Sequence, residues 1–127
     1  MIFEKDNTFF TGRIKSIGYA IKGAYKLITT EHSIMVQSFV GMCSIVAGFY
    51  FNISQTEWLA QTLAIGLVLS IEGLNTAIEK VADFVQPNFD ERIGFIKDIA
   101  AGSVFFAAMS ALAIWGIIYM PRILELF

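Results

Sequence analysis

An all-α integral membrane protein is what the sequence predicts, and three observations carry that prediction. Two stretches, Ile34 to Thr56 and Ile99 to Met120, contain no charged residue, and a third apolar run extends from Trp58 to Ile71. About 20 predominantly apolar residues suffice to cross the hydrocarbon core of a bilayer. Of the 127 residues 56% are hydrophobic and 16% charged, with mean hydropathy +0.64, whereas soluble domains average about 25% charged. Finally, the segment before the first span has a helical period with one apolar and one basic side. The expected organisation is a single domain over 1–127, with an interfacial helix at 12–30 and spans at 34–53, 58–83 and 98–120.

In chain order, Met1 to Thr11 has no clear period and reads as a loose leader. From Gly12 to Thr30, Ile14, Ile17, Ile21, Tyr25 and Ile28 fall within roughly 80° of arc on a helix, and Lys15, Lys22 and Lys26 cluster about 100° away. Such a helix suits the membrane interface, its lysines toward anionic headgroups; the competing reading is a soluble helix packed on a partner. In the first span, Gly41, Ser44 and Gly48 allow a neighbouring helix to approach closely. Cys43, the single cysteine, reads as a buried, inert thiol and excludes an intrachain disulfide framework. Asn52 to Glu57 reads as a short turn, with Ser54 or Thr56 capping the next helix. Trp58 then opens the second span as an interfacial aromatic. Pro87 ends that helix, Gln86 to Arg92 forms a polar loop, and Pro121 closes the third span.

No secretory signal peptide is expected, because charges interrupt the first 30 residues throughout. Basic residues set the orientation. Arg13, Lys15, Lys22 and Lys26 precede the first span, and Lys80, Arg92 and Lys97 lie between the second and third. The positive-inside rule therefore puts the N-terminus and the 80–98 segment in the cytoplasm and the C-terminus outside.

Chemistry gathers on the second span. At about 100° per residue, Glu72, Asn75, Glu79 and Asp83 share an arc of roughly 80°, with Thr76 on the same stripe. Ionisable groups at membrane depth are costly and mark functional sites by default; a structural polar seam between helices is the alternative. Glu72 lies among apolar neighbours and suits a proton acceptor, and Asn75 one turn away can orient it or a hydroxyl. Glu31, at the junction before the first span, can meet Glu79. Carboxylates without histidine or thiolate suit a hard cation such as Mg²⁺, although Glu31 by itself more often reads as a helix-capping or solvated acid. Lys97 and Asp98 open the third span, where a lysine can act as a point charge on phosphate and an acid can fix it; capping with snorkelling is the plain reading of such a pair. His32, the only histidine, has no nucleophile to serve and reads as a surface or hydrogen-bonded group.

The segment Glu72-x-Leu-Asn-Thr-Ala-Ile-Glu-x-x-x-Asp83, followed by Ile-Lys-Asp-Ile-Ala-Ala-Gly-Ser-Val at Ile96 to Val104, closely resembles the small prokaryotic diacylglycerol kinases, a family that includes the undecaprenol kinases. The resemblance extends from about Ile17 onward. It implies a homotrimer of three-span chains in the bacterial inner membrane, with active sites between protomers, Mg-ATP entering from the cytoplasm and a lipid hydroxyl arriving from the bilayer. By motif match it makes Glu72 the general base with Asn75 its neighbour, and Glu31 and Glu79 the metal-binding acids. It makes Lys97 and Asp98 the nucleotide-binding pair, with Tyr19, Asn88, Phe89 and Asp90 near the nucleotide. Family members often carry a histidine where this chain has Asp90. Arg13 matches a phosphate-binding arginine only after a one-residue shift.

The expected activity is therefore phosphorylation of a lipid, diacylglycerol giving phosphatidic acid. The alternative substrate is undecaprenol, which Ile53 to Trp58 and Thr30 to His32 resemble more. The chain has neither a Gly-x-x-x-x-Gly-Lys-Ser/Thr loop nor Gly-x-Gly-x-x-Gly, which argues against a soluble nucleotide-binding fold. Its net charge of −2 without a dense basic patch argues against nucleic acid as a partner. A non-catalytic proton- or ion-conducting oligomer, with Glu72 and Glu79 lining a watery path, is the competing class.

Overall fold

The computed structural model describes residues 8–127, which form four helices: α1 (Phe9–Thr30), α2 (His32–Tyr50), α3 (Gln55–Val85) and α4 (Glu91–Leu124). Three of them, α2, α3 and α4, are long and apolar enough to cross a membrane. They run up, down and up, with α3 packed between α2 and α4, and α1 adjoining α2. At 1.5 Å per residue the 31-residue α3 and 34-residue α4 are each more than 45 Å long, beyond the ~30 Å of the hydrocarbon core. The 19-residue α2 is about 28 Å long. The longer helices thus project past α2 at one end, and that projection carries Glu79, Asp83 and Lys97.

The α2–α3 turn is built by local chemistry at both helix ends. Asn52 adopts φ 52°, a left-handed conformation that asparagine tolerates. Around it, the Ile53 N–H donates to the Gly48 carbonyl (3.1 Å) and the Asn52 N–H to the Phe49 carbonyl (3.3 Å), the paired bonds of a Schellman ending. Ser54 then caps α3: its Oγ accepts from the Glu57 N–H at 3.2 Å, and Glu57 Oε2 accepts from the Ser54 N–H at 2.8 Å. Ile53, pointing inward from this turn, is buried against Ile118 and Tyr119.

Close helix approach rests on glycine. A Cβ at Gly48 would lie 2.6 Å from the Trp58 ring, and one at Gly41 would lie 3.2 Å from Ile65. Gly41, Ser44 and Gly48 are all buried, so the small-residue stripe is the face α2 turns toward α3. The remaining surface is mostly apolar and open. The chain exposes 9804 Å², against about 6,700 Å² for a compact soluble monomer of its 14.1 kDa mass. On α1 no residue is buried, and the stripe Ile14, Ile17, Ile21, Tyr25 and Ile28 is exposed.

Three expectations need correction. The leader expected over 1–11 is already helical from Phe9, and residues 1–7 lie outside the described residues. Pro121 does not close α4, which continues to Leu124. A proline there withholds only one N–H, and the Arg122 guanidinium donates back to the neighbouring Ile118 carbonyl. Cys43 is exposed, because α2 turns its Gly41–Ser44–Gly48 face inward and leaves Met42 and Cys43 outside.

Candidate functional site

Where α3 passes the first turns of α2, its polar stripe turns inward. Glu72, Asn75 and Thr76 are 7%, 8% and 7% exposed. Gln37 of α2 donates from Nε2 to Glu72 Oε2 at 3.2 Å, and Asn75 donates from Nδ2 to Glu79 Oε1 at 3.2 Å. Each amide commits its nitrogen to a carboxylate, and in each the oxygen is left over. Gln37 Oε1 and Asn75 Oδ1 are buried without a hydrogen-bond partner. Buried polar atoms are seldom left unpaired, so two within one cluster point to ligand groups that complete them. Above the stripe, Leu27 of α1 lies 3.1 Å from where a Cβ of Gly73 would sit, so the glycine lets the end of α1 settle onto α3.

Glu31 stands at the α1–α2 junction as the helix boundary residue of both. Lys80 reaches it at 3.1 Å, and Thr30 Oγ1 donates to its Oε1 at 3.2 Å. The Lys80 hydrogen bond, and then that of Thr30, hold its carboxyl below the usual carboxylate range, although partial desolvation opposes them. The expected meeting of Glu31 with Glu79 therefore takes another form. Glu31 pairs with Lys80, the next residue along, and Glu79 with Asn75.

Lys97 likewise pairs across helices, with Asp83 of α3, whereas its neighbour Asp98 is exposed. Asp83, the last acid of the stripe, is thus the group that fixes the lysine. Asp90 caps α4, its Oδ1 accepting from the Arg92 N–H at 2.8 Å and its Oδ2 from Nη2 at 3.2 Å. Those bonds, the side-chain contact first, hold Asp90 below the usual range. Phe89 is 92% exposed, and the Asn88 N–H donates to Gln86 Oε1 at 3.4 Å. On α1, Arg13 lies over the Phe9 ring at 5.3 Å, and Tyr19 is half-buried.

Within one chain, then, the fold brings together Glu72, Asn75 and Glu79, with Glu31 at the level of Lys80 and Lys97 beside Asp83. Gln37 and Lys80 are additions that the sequence reading passed over. Gln37 was findable as the one amide of α2, since a polar side chain in a spanning run needs an interior partner. Among the described residues no group of three His, Cys, Asp or Glu side chains converges on one point. The donors present are carboxylate and amide oxygens, which suit a hard cation that keeps other ligands from phosphate and water.

Comparison with known proteins points to one family. The family profile for prokaryotic diacylglycerol kinase matches residues 18–119. The undecaprenol kinase of Bacillus subtilis is 31% identical over 117 residues, covering 92% of each chain. The diacylglycerol kinase of Synechocystis is 31% identical over 112 residues, covering 87% of this chain and 64% of that protein. The diacylglycerol kinase of Escherichia coli K12 is 26% identical over 113 residues, covering 89% and 93%.

Proposed function

Since this chain belongs to the prokaryotic diacylglycerol kinase family and is a lipid kinase of that type, we propose that it transfers the γ-phosphate of ATP to the hydroxyl of diacylglycerol, giving phosphatidic acid. The observation that carries this reading is the buried Glu72 carboxylate, held by Gln37 on one side with the Asn75–Glu79 pair one turn along. Phosphoryl transfer asks little covalent chemistry of a protein beyond position, charge neutralisation and a proton acceptor.

Glu72 takes the proton of the lipid hydroxyl as that oxygen attacks the γ-phosphorus. The bond from the γ-phosphorus to the β,γ-bridging oxygen breaks, ADP departs, and the proton passes from Glu72 to water. Asn75 holds Glu79 and turns its free Oδ1 toward the reacting groups. Lys97, steadied by Asp83, supplies positive charge to the phosphates, with Asp98 beside it. Glu31 and Glu79 are the acids that would hold Mg²⁺. When bound, the ion neutralises charge on the phosphates. Arg13, Tyr19, Asn88, Phe89 and Asp90, on α1 and in the α3–α4 loop, are the further residues proposed to lie near the nucleotide, in sites shared with a neighbouring copy. The open apolar faces support a homotrimer. The basic residues of α1, with Lys80 near the end of α3 and Arg92 and Lys97 at the start of α4, support a site facing the cytoplasm in the bacterial inner membrane, the C-terminus outside and α1 lying in the interface.

A second reading, undecaprenol giving undecaprenyl phosphate, is favoured by the segments at Ile53 to Trp58 and Thr30 to His32 and by the likeness to the Bacillus subtilis kinase. The test presents purified protein and Mg-ATP, labelled in the γ-phosphate, with diacylglycerol and undecaprenol side by side. Faster labelling of diacylglycerol is expected. Faster labelling of undecaprenol selects the second reading, and no labelling of either contradicts both.

A further inference from the structure

Two lysines pair with acids of the proposed site, and the two pairs are built in opposite senses. In the Lys97–Asp83 pair the lysine is the sheltered member, its side chain 36% exposed against 64% for the acid. In the Lys80–Glu31 pair the acid is sheltered, at 23%, and the lysine stands out in water at 67%. Glu31 is fixed from behind. It is the one non-helical residue between α1 and α2, with extended backbone (φ −104°, ψ 113°), and its N–H donates to the Leu27 carbonyl at 3.2 Å. Leu27 in turn packs over Gly73 of α3. The Glu31 carboxylate therefore stays where the backbone puts it. Lys80 is held by one ionic contact, from Nζ to Glu31 Oε1 at 3.1 Å.

We propose that Lys80 is a resident counter-ion that occupies Glu31 until a divalent cation displaces it, and so sets how much cation the site demands. The inference rests on the reading of Glu31 as a metal-holding acid above and adds the residue that guards it. A sheltered carboxylate needs a positive neighbour, and Lys80 is that neighbour. Its hydrogen bond is the largest of the effects that keep Glu31 below the usual carboxylate range, against the opposing desolvation. A cation taken up by Glu31 therefore meets an ammonium already bound there. Lys80 is built to leave. Its ammonium is a compact point charge on a flexible stem, whereas an arginine would grip the carboxylate through two parallel bonds. Because it is exposed, the pair is weak and water receives the ammonium on release. Charge then selects the newcomer. A monovalent ion carries no more charge than the ammonium it would replace, whereas a divalent ion doubles the attraction to the carboxylate. The carboxylate oxygen further favours a hard ion.

The cation alone tests this, with neither nucleotide nor lipid acceptor added. Full-length protein in detergent micelles is titrated with Mn²⁺, and the free ion is followed by its electron paramagnetic resonance signal. Lys80→Met is expected to bind Mn²⁺ about tenfold more tightly than the wild type, since a lysine and a divalent ion about 4 Å apart repel by that order even in water. Lys80→Arg should bind no more tightly than the wild type. Adding Glu31→Gln to Lys80→Met should abolish the gain. Should Lys80→Met fold poorly, Lys80→Gln keeps a hydrogen bond to Glu31 without the charge and gives the same reading. Equal affinity in Lys80→Met and the wild type would overturn the proposal. Weaker binding in Lys80→Met would overturn it too, by making the lysine a strut of the site. So would a gain that survives Glu31→Gln, which places the ion elsewhere. A protein that shows the gain yet phosphorylates no lipid would keep this inference and lose the kinase reading, and an active kinase without the gain would do the reverse.

Discussion

The two ends of the helical bundle use similar side chains to opposite effect. At the Tyr119 end, the Tyr119 hydroxyl, the Gln61 amide and the Ser44 carbonyl close on one another, and Arg122 grips Glu57 with two hydrogen bonds of 3.1 and 2.8 Å. Tyr119 is fully buried and no polar atom of that network lacks a partner. At the Glu72 end, two amides are half used, two carboxylates depend on them, and Glu79 and Asp98 are exposed. A satisfied buried network fixes a helix arrangement, whereas an unsatisfied one waits for a ligand. The first end holds the spans in register, and the second is where we propose the reaction takes place.

Mutations should separate the two ends. The largest effect is expected at the Glu72 end, where Lys97→Met should lower kcat ~100-fold or more by removing the charge proposed to act on the phosphates, with the thermal midpoint little changed. A fall in stability equal to that of a core mutant would instead make Lys97 a structural partner of Asp83. Next comes Gly48→Ala, whose methyl group would meet the Trp58 ring at 2.6 Å; overpacking of this kind costs about 1–3 kcal/mol, and denaturant titration in detergent would read it. Tyr119→Phe should be milder, about 1 kcal/mol, since hydrogen bonds between spans are individually modest, and it should leave kcat near wild type. A large loss of activity in Tyr119→Phe without loss of stability would blur the division between the ends.

The smallest effect is electrostatic. Lys80 holds Glu31 below the usual carboxylate range, so the pair is intact above that range and is lost as pH falls through the lowered value. Lys80→Met should raise the Glu31 titration midpoint back toward an ordinary carboxylate, as carboxyl carbon NMR would report. An unmoved midpoint would show that Thr30 and the helix boundary, and not Lys80, set it.

Much of this was legible in the sequence, for definite reasons. Uncharged runs of spanning length mark α2 and α4 because charge at membrane depth is costly, and the 3.6-residue period places Glu72, Asn75 and Glu79 on one face. Ser54 announces the cap of α3 for the same local reason. What escaped depends on partners distant in the chain. Gln37 finds Glu72 across 35 residues and Tyr119 finds Ser44 across 75, and no local period encodes either meeting. Lys97 reaches back to Asp83 in place of its neighbour Asp98, since consecutive residues on a helix point apart. Pro121 misleads because the loss of its one N–H does not end α4, and the Arg122 guanidinium donates to the adjacent Ile118 carbonyl.

The measurement that bears most directly on this account is lipid phosphorylation by Glu72→Gln, followed together with its helix content and thermal midpoint. Glutamine keeps the size of the side chain and its contact with Gln37 but cannot take up the hydroxyl proton. Turnover should fall by at least ~100-fold in a variant that melts as the wild type does. Wild-type turnover in that variant would contradict the assignment of Glu72 as the proton acceptor.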